Sequence, residues 1–194
     1  MNIPFENELK LPVVAAPMFL ISGPQLVIEC CKNGIIGTFP DLNQRTSEGF
    51  EQWIIQIKNA FSDFDNETGT KAAPFGVNLI VHHSNPRLKA DLALCVKHQV
   101  PLIINDSIEL CIEVDADGVH LGKQDSSFEK ARDQLSADKI IGITCNNSIK
   151  KAREALKNKA DYIAIGAFNL SRTKKVKYFK TNRHFFFKKS YFIN

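Results

Sequence analysis

Short apolar runs rich in β-branched residues alternate with segments of helical period along most of the chain. Seven such runs predict strands that open at Val13, Ile35, Gly76, Leu102, Gly118, Ile140 and Tyr162. The runs are almost continuously apolar, which is typical of parallel strands covered on both faces. Between them, apolar residues recur at helical spacing, as in the stripe Phe50, Trp53, Ile54, Ile57 and Phe61.

Local signals predict where two of the helices begin and end. Asn85 followed by Pro86 is typical of an N-cap and the first helical position. Gly34 lies where a helix ending near Lys32 needs a residue with positive φ.

The alternation of strands and helices predicts an α/β fold, a parallel (β/α) barrel of the TIM type. With about seven strands, this barrel is expected to be incomplete. A flat, doubly wound sheet is the alternative, but no Gly-rich dinucleotide fingerprint follows a strand. An open barrel leaves the edges of its first and last strands unpaired, so marginal stability or a homo-oligomer is expected.

Charge and composition narrow the function classes. The net charge of the chain is +4, yet all 21 acidic residues lie at or before Asp161. Residues 1–161 carry 17 basic residues and therefore a net charge of −4, which argues against a nucleic-acid-binding protein. No apolar run reaches the ~20 residues of a membrane span, and no secretory signal is evident, so a cytoplasmic location is expected. Five cysteines without metal-ligand spacing predict reduced, buried thiols.

The last residues, 176–194, have a different character. They contain Phe185, Phe186 and Phe187 between basic residues and show neither strand alternation nor helical period. We interpret them as an irregular, basic aromatic tail, with a membrane-surface or RNA-binding tail as the alternative.

Polar residues follow four consecutive predicted strands in the second half of the chain. The carboxyl ends of barrel strands share one rim, so these residues are expected to lie together. Asp106 and Asp125 are the carboxylates that Mg²⁺ needs if water and a diphosphate complete its shell. Hydroxyls beside a lysine on a short turn, as in Ser171, Thr173 and Lys174, suit phosphate. The pattern predicts a small-molecule phosphate or diphosphate substrate; helix N-capping is the alternative for each aspartate.

Residues from about 102 to 174 resemble thiamine-phosphate synthase. The matching stretches are IINDSIELCIEVDADGVHLGKQD, KIIGITCNN and ADYIAIGAF, followed after two residues by SRTKK. The resemblance implies a transferase of thiamine biosynthesis that joins hydroxymethylpyrimidine diphosphate and thiazole phosphate. It also implies that Asp106 and Asp125 bind Mg²⁺ and that Asn105 contacts the pyrimidine diphosphate. The implied catalytic residues are Thr144 and Lys174.

The remaining residues that the resemblance places at the substrates are Asp106, Gln124, Ser171, Thr173 and Lys174. This sequence also departs from the family pattern. Lys123 replaces a common glutamine, Ser171 replaces a threonine, and a Gln-x-Arg-x-x-Lys diphosphate clamp has no counterpart in residues 1–100. An impaired activity is therefore a further expectation.

The first half, from about residue 2 to 104, resembles an FMN-dependent nitronate monooxygenase. The stretches are LPVVAAPMFLISGPQLVIECCKNGIIGTFP and APFGVNLIVHHSNPRLKADLALCVKHQVPLII. The resemblance implies an oxidoreductase with FMN against Pro17, Met18 and Asn78, although the family's catalytic histidine and flavin phosphate loop have no counterpart. We therefore divide the chain into a monooxygenase-like half (1–104), a thiamine-phosphate-synthase-like half (105–175) and the tail. An inactive hybrid barrel is the third hypothesis.

Two histidine patterns complete the prediction. His120 lies between apolar neighbours in a predicted strand, and we interpret it as a core histidine with satisfied hydrogen bonds rather than a catalyst. The adjacent His82 and His83 are interpreted as loop residues whose side chains point to opposite sides.

Overall fold

The computed structural model describes residues 9–122 and 128–166. Its strands form one parallel sheet in sequence order. The strands are β1 (Val14–Ala15), β2 (Ile36–Pro40), β3 (Phe75–Leu79), β4 (Leu102–Asn105), β5 (Gly118–Leu121), β6 (Ile140–Asn146) and β7 (Tyr162–Ile165). The helices are α1 (Pro24–Lys32), α2 (Ser47–Thr68), α3 (Leu88–Lys97), α4 (Ile108–Glu113), α5 (Phe128–Gln134) and α6 (Ile149–Lys157), with a 3₁₀ turn at Asp41–Asn43.

The strand order confirms the predicted fold class. A doubly wound sheet reverses its strand order at a switch point, whereas here every strand pairs only with its neighbours in sequence. That order is the one of a (β/α) barrel. In the described part of the chain β1 and β7 are the edge strands, so the curled sheet is an incomplete barrel, as the sequence predicts.

The core lies between the convex face of the sheet and the helices. Phe39 of β2 packs against Phe50 and Trp53 of α2, with ring centroids 5.9 and 5.7 Å apart. Along the other strands, Val77, Leu102, Ile104, Val119 and Ile141 are buried in the same cluster. This core is continuous across residues 104 and 105, so the predicted boundary between the two halves lies within one sheet at the end of β4.

Four helix ends share one hydrogen-bond pattern. After α1, α3, α4 and α6 the second residue beyond the helix has positive φ, and the next N–H returns to a carbonyl of the last turn. The positive-φ residues are Gly34 (76°), Gln99 (50°), Asp115 (49°) and Lys159 (63°). This pattern is the Schellman motif, and it confirms the prediction at Gly34. At the other three helix ends the left-handed residue is not glycine, so the sequence does not indicate the conformation there.

The start of α3 differs from the prediction. The helix begins at Leu88, and Asn85 is buried and turned to tertiary partners. Asn85 Nδ2 donates to Ile80 O and to a carboxylate oxygen of Asp41, at 3.0 and 3.2 Å, and Asn85 Oδ1 accepts from Arg87 N–H. The predicted N-cap at Asn85 is therefore wrong, because buried hydrogen bonds take up the side chain.

All five cysteines are free, and Cys31, Cys95, Cys111 and Cys145 are buried, which confirms the thiol prediction for four of them. The fifth, Cys30, is half-buried. No helix within the described ranges has the length and apolar character to cross a bilayer.

Candidate functional site

The candidate site is built on the concave face of β4–β7. Backbone register aligns Asn105 with His120, His120 with Gly142, and Gly142 with Tyr162. Because side chains alternate between faces along a strand, this row points away from the helix-covered core. Thr144 lies two residues beyond Gly142 on the same face of β6. The sheet therefore brings two predicted site residues, Asn105 and Thr144, to one side and one end.

Asp106 is displayed at the end of β4 by its backbone. Its φ of 66° is left-handed, and its N–H donates to His120 O at 2.9 Å. Asn105 Nδ2 donates to Asp106 Oδ2 at 2.7 Å, which orients the exposed carboxylate. The N-cap of α4 is the next residue, Ser107, whose hydroxyl accepts from Leu110 N–H at 3.1 Å. N-capping of α4 is thus assigned to Ser107 and does not account for Asp106.

His120 connects Thr144 to Tyr162. Its Nε2 lies 2.8 Å from Thr144 Oγ1, and its Nδ1 lies 2.9 Å from the hydroxyl of Tyr162. Both ring nitrogens are thus hydrogen-bonded, as predicted. The predicted location was wrong, because His120 is half-buried on the concave face and not in the core. In the short strand β5 the odd-numbered residues face the helices, so the even-numbered His120 faces the other way.

Glycine at position 142 makes this contact possible. A Cβ built on Gly142 would overlap Cζ, Cε1 and the hydroxyl oxygen of Tyr162. The Tyr162 ring therefore lies over the glycine backbone and stacks near His120, with centroids 5.5 Å apart and planes at 26°. Burial raises the pKa of the Tyr162 hydroxyl well above its ordinary value, so the phenol keeps its proton. Burial also raises the pKa of Cys145, next to Thr144 and on the opposite face.

Five predicted site residues lie outside the described part of the chain. They are Gln124, Asp125, Ser171, Thr173 and Lys174. β5, which precedes Asp125, ends at Leu121 and pairs with β4, which ends at Asn105. The approach of Asp125 to Asp106 stays a prediction, as does the phosphate turn. The tail, residues 176–194, also lies outside the described residues.

The residues predicted to face FMN lie after the first strand and on the third. Pro17 and Met18 follow β1, and Met18, 40% exposed, begins a turn in which its N–H donates to Ser22 Oγ at 2.9 Å. Asn78 lies on β3, separated from β1 by β2. Its side-chain oxygen is buried and has no hydrogen-bond partner among the described residues. Asn78 thus shares the sheet with Asn105 on the adjacent strand β3, whereas Pro17 and Met18 lie in the segment between β1 and α1.

A buried ionic cluster near the ends of β2 and β3 was not predicted. Asp41 and Asp91 are fully buried. Arg87 Nη2 lies 3.2 Å from Asp91 Oδ2 and donates to Asp41 O, and Ser47 Oγ donates to Asp91 Oδ1 at 2.5 Å. Burial and the nearby charge of Asp91 raise the pKa of Asp41, against the hydrogen bond from Asn85. One signal existed: Asp91 lies on the apolar stripe of α3, four residues before the buried Cys95.

The described side chains form no cluster of three or more His, Cys, Asp and Glu residues that could hold a metal ion by themselves.

His82 and His83 are exposed loop residues, as predicted, but their rings do not point to opposite sides. The ring centroids lie 4.1 Å apart because the chain turns there and is not extended.

The sequence comparison identifies the family. The family profile of thiamine monophosphate synthase (TMP-TENI) matches residues 86–185, slightly more than half of the chain. The chain belongs to this family. The match includes β4 to β7 and every residue of the candidate site.

Curated relatives of the family match the same half. The chain is 49% identical over 98 residues to the thiamine-phosphate synthase of Nitrosospira multiformis, and the match spans 50% of this chain and 41% of that protein. It is 49% identical over 85 residues to that of Pelagibacter ubique, spanning 44% and 41%. With that of Erythrobacter litoralis it shares 46% over 104 residues, spanning 53% and 49%. The chain thus spans less than half the length of each of these relatives.

Among solved structures, the chain is similar to thiamine phosphate pyrophosphorylase from Pyrococcus furiosus. The superposition covers 84% of this chain and 62% of that protein, with a TM-score of 0.39 and 20% sequence identity. The assignment of the fold here rests on the strand order of the chain itself.

Proposed function

We propose that this member of the thiamine monophosphate synthase family is a transferase that joins hydroxymethylpyrimidine diphosphate to thiazole phosphate. The observation that carries the proposal is the arrangement of Asn105, Asp106 and Thr144. These residues lie at the carboxyl ends of β4 and β6, and His120 of β5 contacts both strands. Carboxylate, amide and hydroxyl groups on one rim suit a ligand that carries phosphate groups.

The described residues fit a magnesium ion in part. Mg²⁺ prefers oxygen ligands and is usually held by one or two carboxylates, with water and substrate phosphates in its remaining positions. Asp106 supplies one exposed carboxylate, and the amide of Asn105 holds it in place. Asp125 is the proposed second ligand. A bound Mg²⁺ would neutralise the charge that develops on a departing diphosphate.

In the proposed reaction, the bond between the pyrimidine methylene carbon and the diphosphate oxygen breaks first. Diphosphate leaves with the bonding electron pair, and the lone pair of the thiazole nitrogen then forms the new bond to the cationic carbon. Asn105 orients the carboxylate of Asp106 through the 2.7 Å hydrogen bond. Thr144 presents a hydroxyl on the same rim. Gln124, Ser171, Thr173 and Lys174 are proposed to bind the phosphate groups. The contribution of these groups is electrostatic.

A ligand-binding experiment tests the proposal. Diphosphate with Mg²⁺ should raise the thermal unfolding temperature of the full chain, and neither Asp106→Asn nor Asp125→Asn should show this shift. Asp63→Asn, an exposed aspartate on α2 remote from the rim, is the matched control and should behave like the wild type. An unchanged shift in Asp106→Asn would show that this carboxylate is not part of a diphosphate site.

The catalytic step needs a separate measurement. Residues 1–100 lack the Gln-x-Arg-x-x-Lys clamp expected in this family, so we expect turnover to be weaker than binding suggests. Formation of thiamine phosphate from the two substrates, followed by chromatography, measures this directly. Binding of diphosphate without product would support the impaired form of the proposal.

FMN binding is the second proposal, and the buried side-chain oxygen of Asn78 is the observation that favours it. This oxygen lacks a partner in the described residues and could accept a hydrogen bond from a polar ligand. The proposed flavin would also lie against Pro17 and Met18. Flavin absorbance in the purified wild-type protein would support an oxidoreductase if the absorbance is weaker in Asn78→Ala and unchanged in Asp106→Asn. Colourless protein that does not take up added FMN would eliminate it.

A further inference from the structure

The hydrogen-bond chain from Tyr162 through His120 to Thr144 has a direction. A neutral imidazole donates from one ring nitrogen and accepts at the other, so the contacts of His120 with Tyr162 and with Thr144 cannot be of the same kind. The distances of 2.9 Å at Nδ1 and 2.8 Å at Nε2 are those of ordinary hydrogen bonds. Which nitrogen carries the proton therefore determines what the Thr144 hydroxyl can do.

Tyr162 decides between the two directions. Its hydroxyl keeps its proton, because burial disfavours the phenolate. A phenol is a good donor and a weak acceptor, since its oxygen lone pair is conjugated with the ring. Tyr162 therefore donates to His120 Nδ1, and the imidazole proton resides on Nε2. His120 Nε2 then donates to Thr144 Oγ1. The hydroxyl proton of Thr144 is left to point away from the histidine.

Thr144 lies on the rim where the proposed function places the substrate phosphates. A hydroxyl that already accepts one hydrogen bond from the protein is well suited to donate to an anionic oxygen. If the direction were reversed, Thr144 would donate to His120 and would offer lone pairs to the substrate, which would suit a cationic or N–H group instead. The direction of the chain thus selects the chemical class of the ligand group.

We propose that Tyr162 is a positioning residue that, through His120, holds Thr144 as a hydrogen-bond donor to a phosphoryl oxygen of the substrate. This inference rests on the proposed function for the identity of the ligand. The position of Tyr162 in turn depends on Gly142, because a side chain at that position would occupy the space of the ring.

The ¹⁵N NMR spectrum of the histidine rings, recorded without ligand at pH 8, tests the direction. The wild type should show His120 as one tautomer protonated at Nε2, and His120→Gln identifies its signals. Tyr162→Phe keeps the ring and removes the donor, so it should shift His120 toward a mixture of tautomers. His98, which lies 2.8 Å from Glu51, is the internal control and should not change. A wild-type His120 protonated at Nδ1 would overturn the proposal, and this result needs no variant.

Affinity for diphosphate with Mg²⁺ tests the role of Thr144. Thr144→Val should raise the Kd about tenfold or more, the usual effect of losing a hydrogen bond to a charged group. Tyr162→Phe should raise it by a smaller factor and should add little in the Thr144→Val background, since both changes affect one hydroxyl. Thr38→Val, on β2 and two strands away from β4, removes a hydroxyl that donates to Ala15 O and should leave the Kd unchanged.

Diphosphate binding by the wild type and by the variants distinguishes failure of the positioning role from failure of the proposed function. Wild-type protein that binds diphosphate while the effects of Thr144→Val and Tyr162→Phe are fully additive would overturn only the positioning role. Wild-type protein that does not bind diphosphate would overturn the proposed function and the ligand assigned to Thr144 together.

Discussion

The ring of Tyr162 lies where a side chain on Gly142 would be. The two residues are paired in register on β6 and β7, and the glycine lets the tyrosine reach past β6 to His120 on β5. Neighbouring strands are about 4.8 Å apart, so a side chain can cross an intervening strand only where that strand has no Cβ in the way. The pair therefore connects three strands of the candidate site.

Gly142→Ala should displace the Tyr162 ring and lower the free energy of unfolding by about 1–3 kcal/mol, the usual range for overpacking. In a Tyr162→Ala background the same change should cost much less, because the ring is absent. Urea denaturation of the four proteins of this double-mutant cycle measures the coupling. Equal costs in both backgrounds would show that the two residues do not compete for space.

Lys159→Gly should stabilise the protein. Lys159 has a φ of 63° at the end of α6, a conformation that costs a residue with a side chain about 1–2 kcal/mol and glycine almost nothing. Glycine also has more conformational entropy in the unfolded chain, which offsets part of this gain. We therefore expect the free energy of unfolding to rise by about 0.5–1 kcal/mol. Lys157→Gly, inside the last turn of the same helix, is the control and should destabilise by up to about 1 kcal/mol. Thermal unfolding measures both variants, and an unfolding temperature of Lys159→Gly below that of the wild type would contradict the prediction.

Substitutions at Asp106 should separate stability from ligand binding. Its left-handed backbone suits glycine, so Asp106→Gly should be about 0.5–1 kcal/mol more stable than Asp106→Ala once the greater entropy of glycine in the unfolded chain is included. Neither variant has the carboxylate, and both should lose the stabilisation by Mg²⁺ and diphosphate. Chemical denaturation with and without ligand measures both quantities. A glycine variant less stable than the alanine variant would contradict the backbone argument.

The stability of the protein should depend on pH through Asp41. Burial raises the pKa of this carboxyl in the folded state, whereas in the unfolded chain it is about 3.9. The folded state thus binds the proton more tightly, so ionised Asp41 destabilises it most at neutral pH. This penalty is relieved as the pH falls through the raised pKa. The charged groups around it are Asp91 and Arg87, which pair with each other.

Asp41→Asn removes this titration. The unfolding free energy of the variant minus that of the wild type should be largest near neutral pH and should decrease toward about pH 4, as the wild type becomes protonated. Urea denaturation at a series of pH values measures the difference. A difference that grows as the pH falls would mean that Asp41 is better stabilised as an anion than its burial indicates.

Exposed apolar residues beside β1 should cause self-association. Phe19, Leu20 and Ile21 are 66%, 77% and 68% exposed next to an edge strand of the described sheet. Phe19→Ser combined with Leu20→Asn should shift sedimentation toward the monomer, and asparagine also suits the φ of 62° at Leu20. Ile112→Ser, at a 52% exposed position on α4, is the control and should not alter association. A wild type that sediments as a stable monomer would contradict the expected homo-oligomer.

The strands were predictable because their signal is local. Each predicted run begins within one residue of the strand in the structure, and four begin at the same residue, Leu102, Gly118, Ile140 and Tyr162. A parallel strand buried under helices must be apolar, and that requirement is visible without knowledge of the neighbours. Gly34 was predictable for the same reason, since a helix end with positive φ favours glycine over every other residue.

Features that depend on partners far along the chain were missed. Asn85 carries the local signal of an N-cap, but the buried Asp41, 44 residues away, forms hydrogen bonds with its side chain. Gln99 and Lys159 adopt positive φ because the helix must turn into the next strand, although neither residue favours that conformation. His120 was assigned to the core because its neighbours are apolar, which does not reveal the face to which the ring points.

The amino-acid sequence by itself determined the order of strands and helices, the parallel barrel topology and the family motifs around Asn105 and Asp106, because these follow from periodicity and residue type. Only the tertiary structure decided that His120 joins Thr144 to Tyr162 across Gly142 and that the half-buried Arg87 contacts both the Asp91 carboxylate and the backbone carbonyl of Asp41. The physical reason is that hydrogen bonds and burial depend on distances between segments, and strand register sets those distances once the sheet has formed.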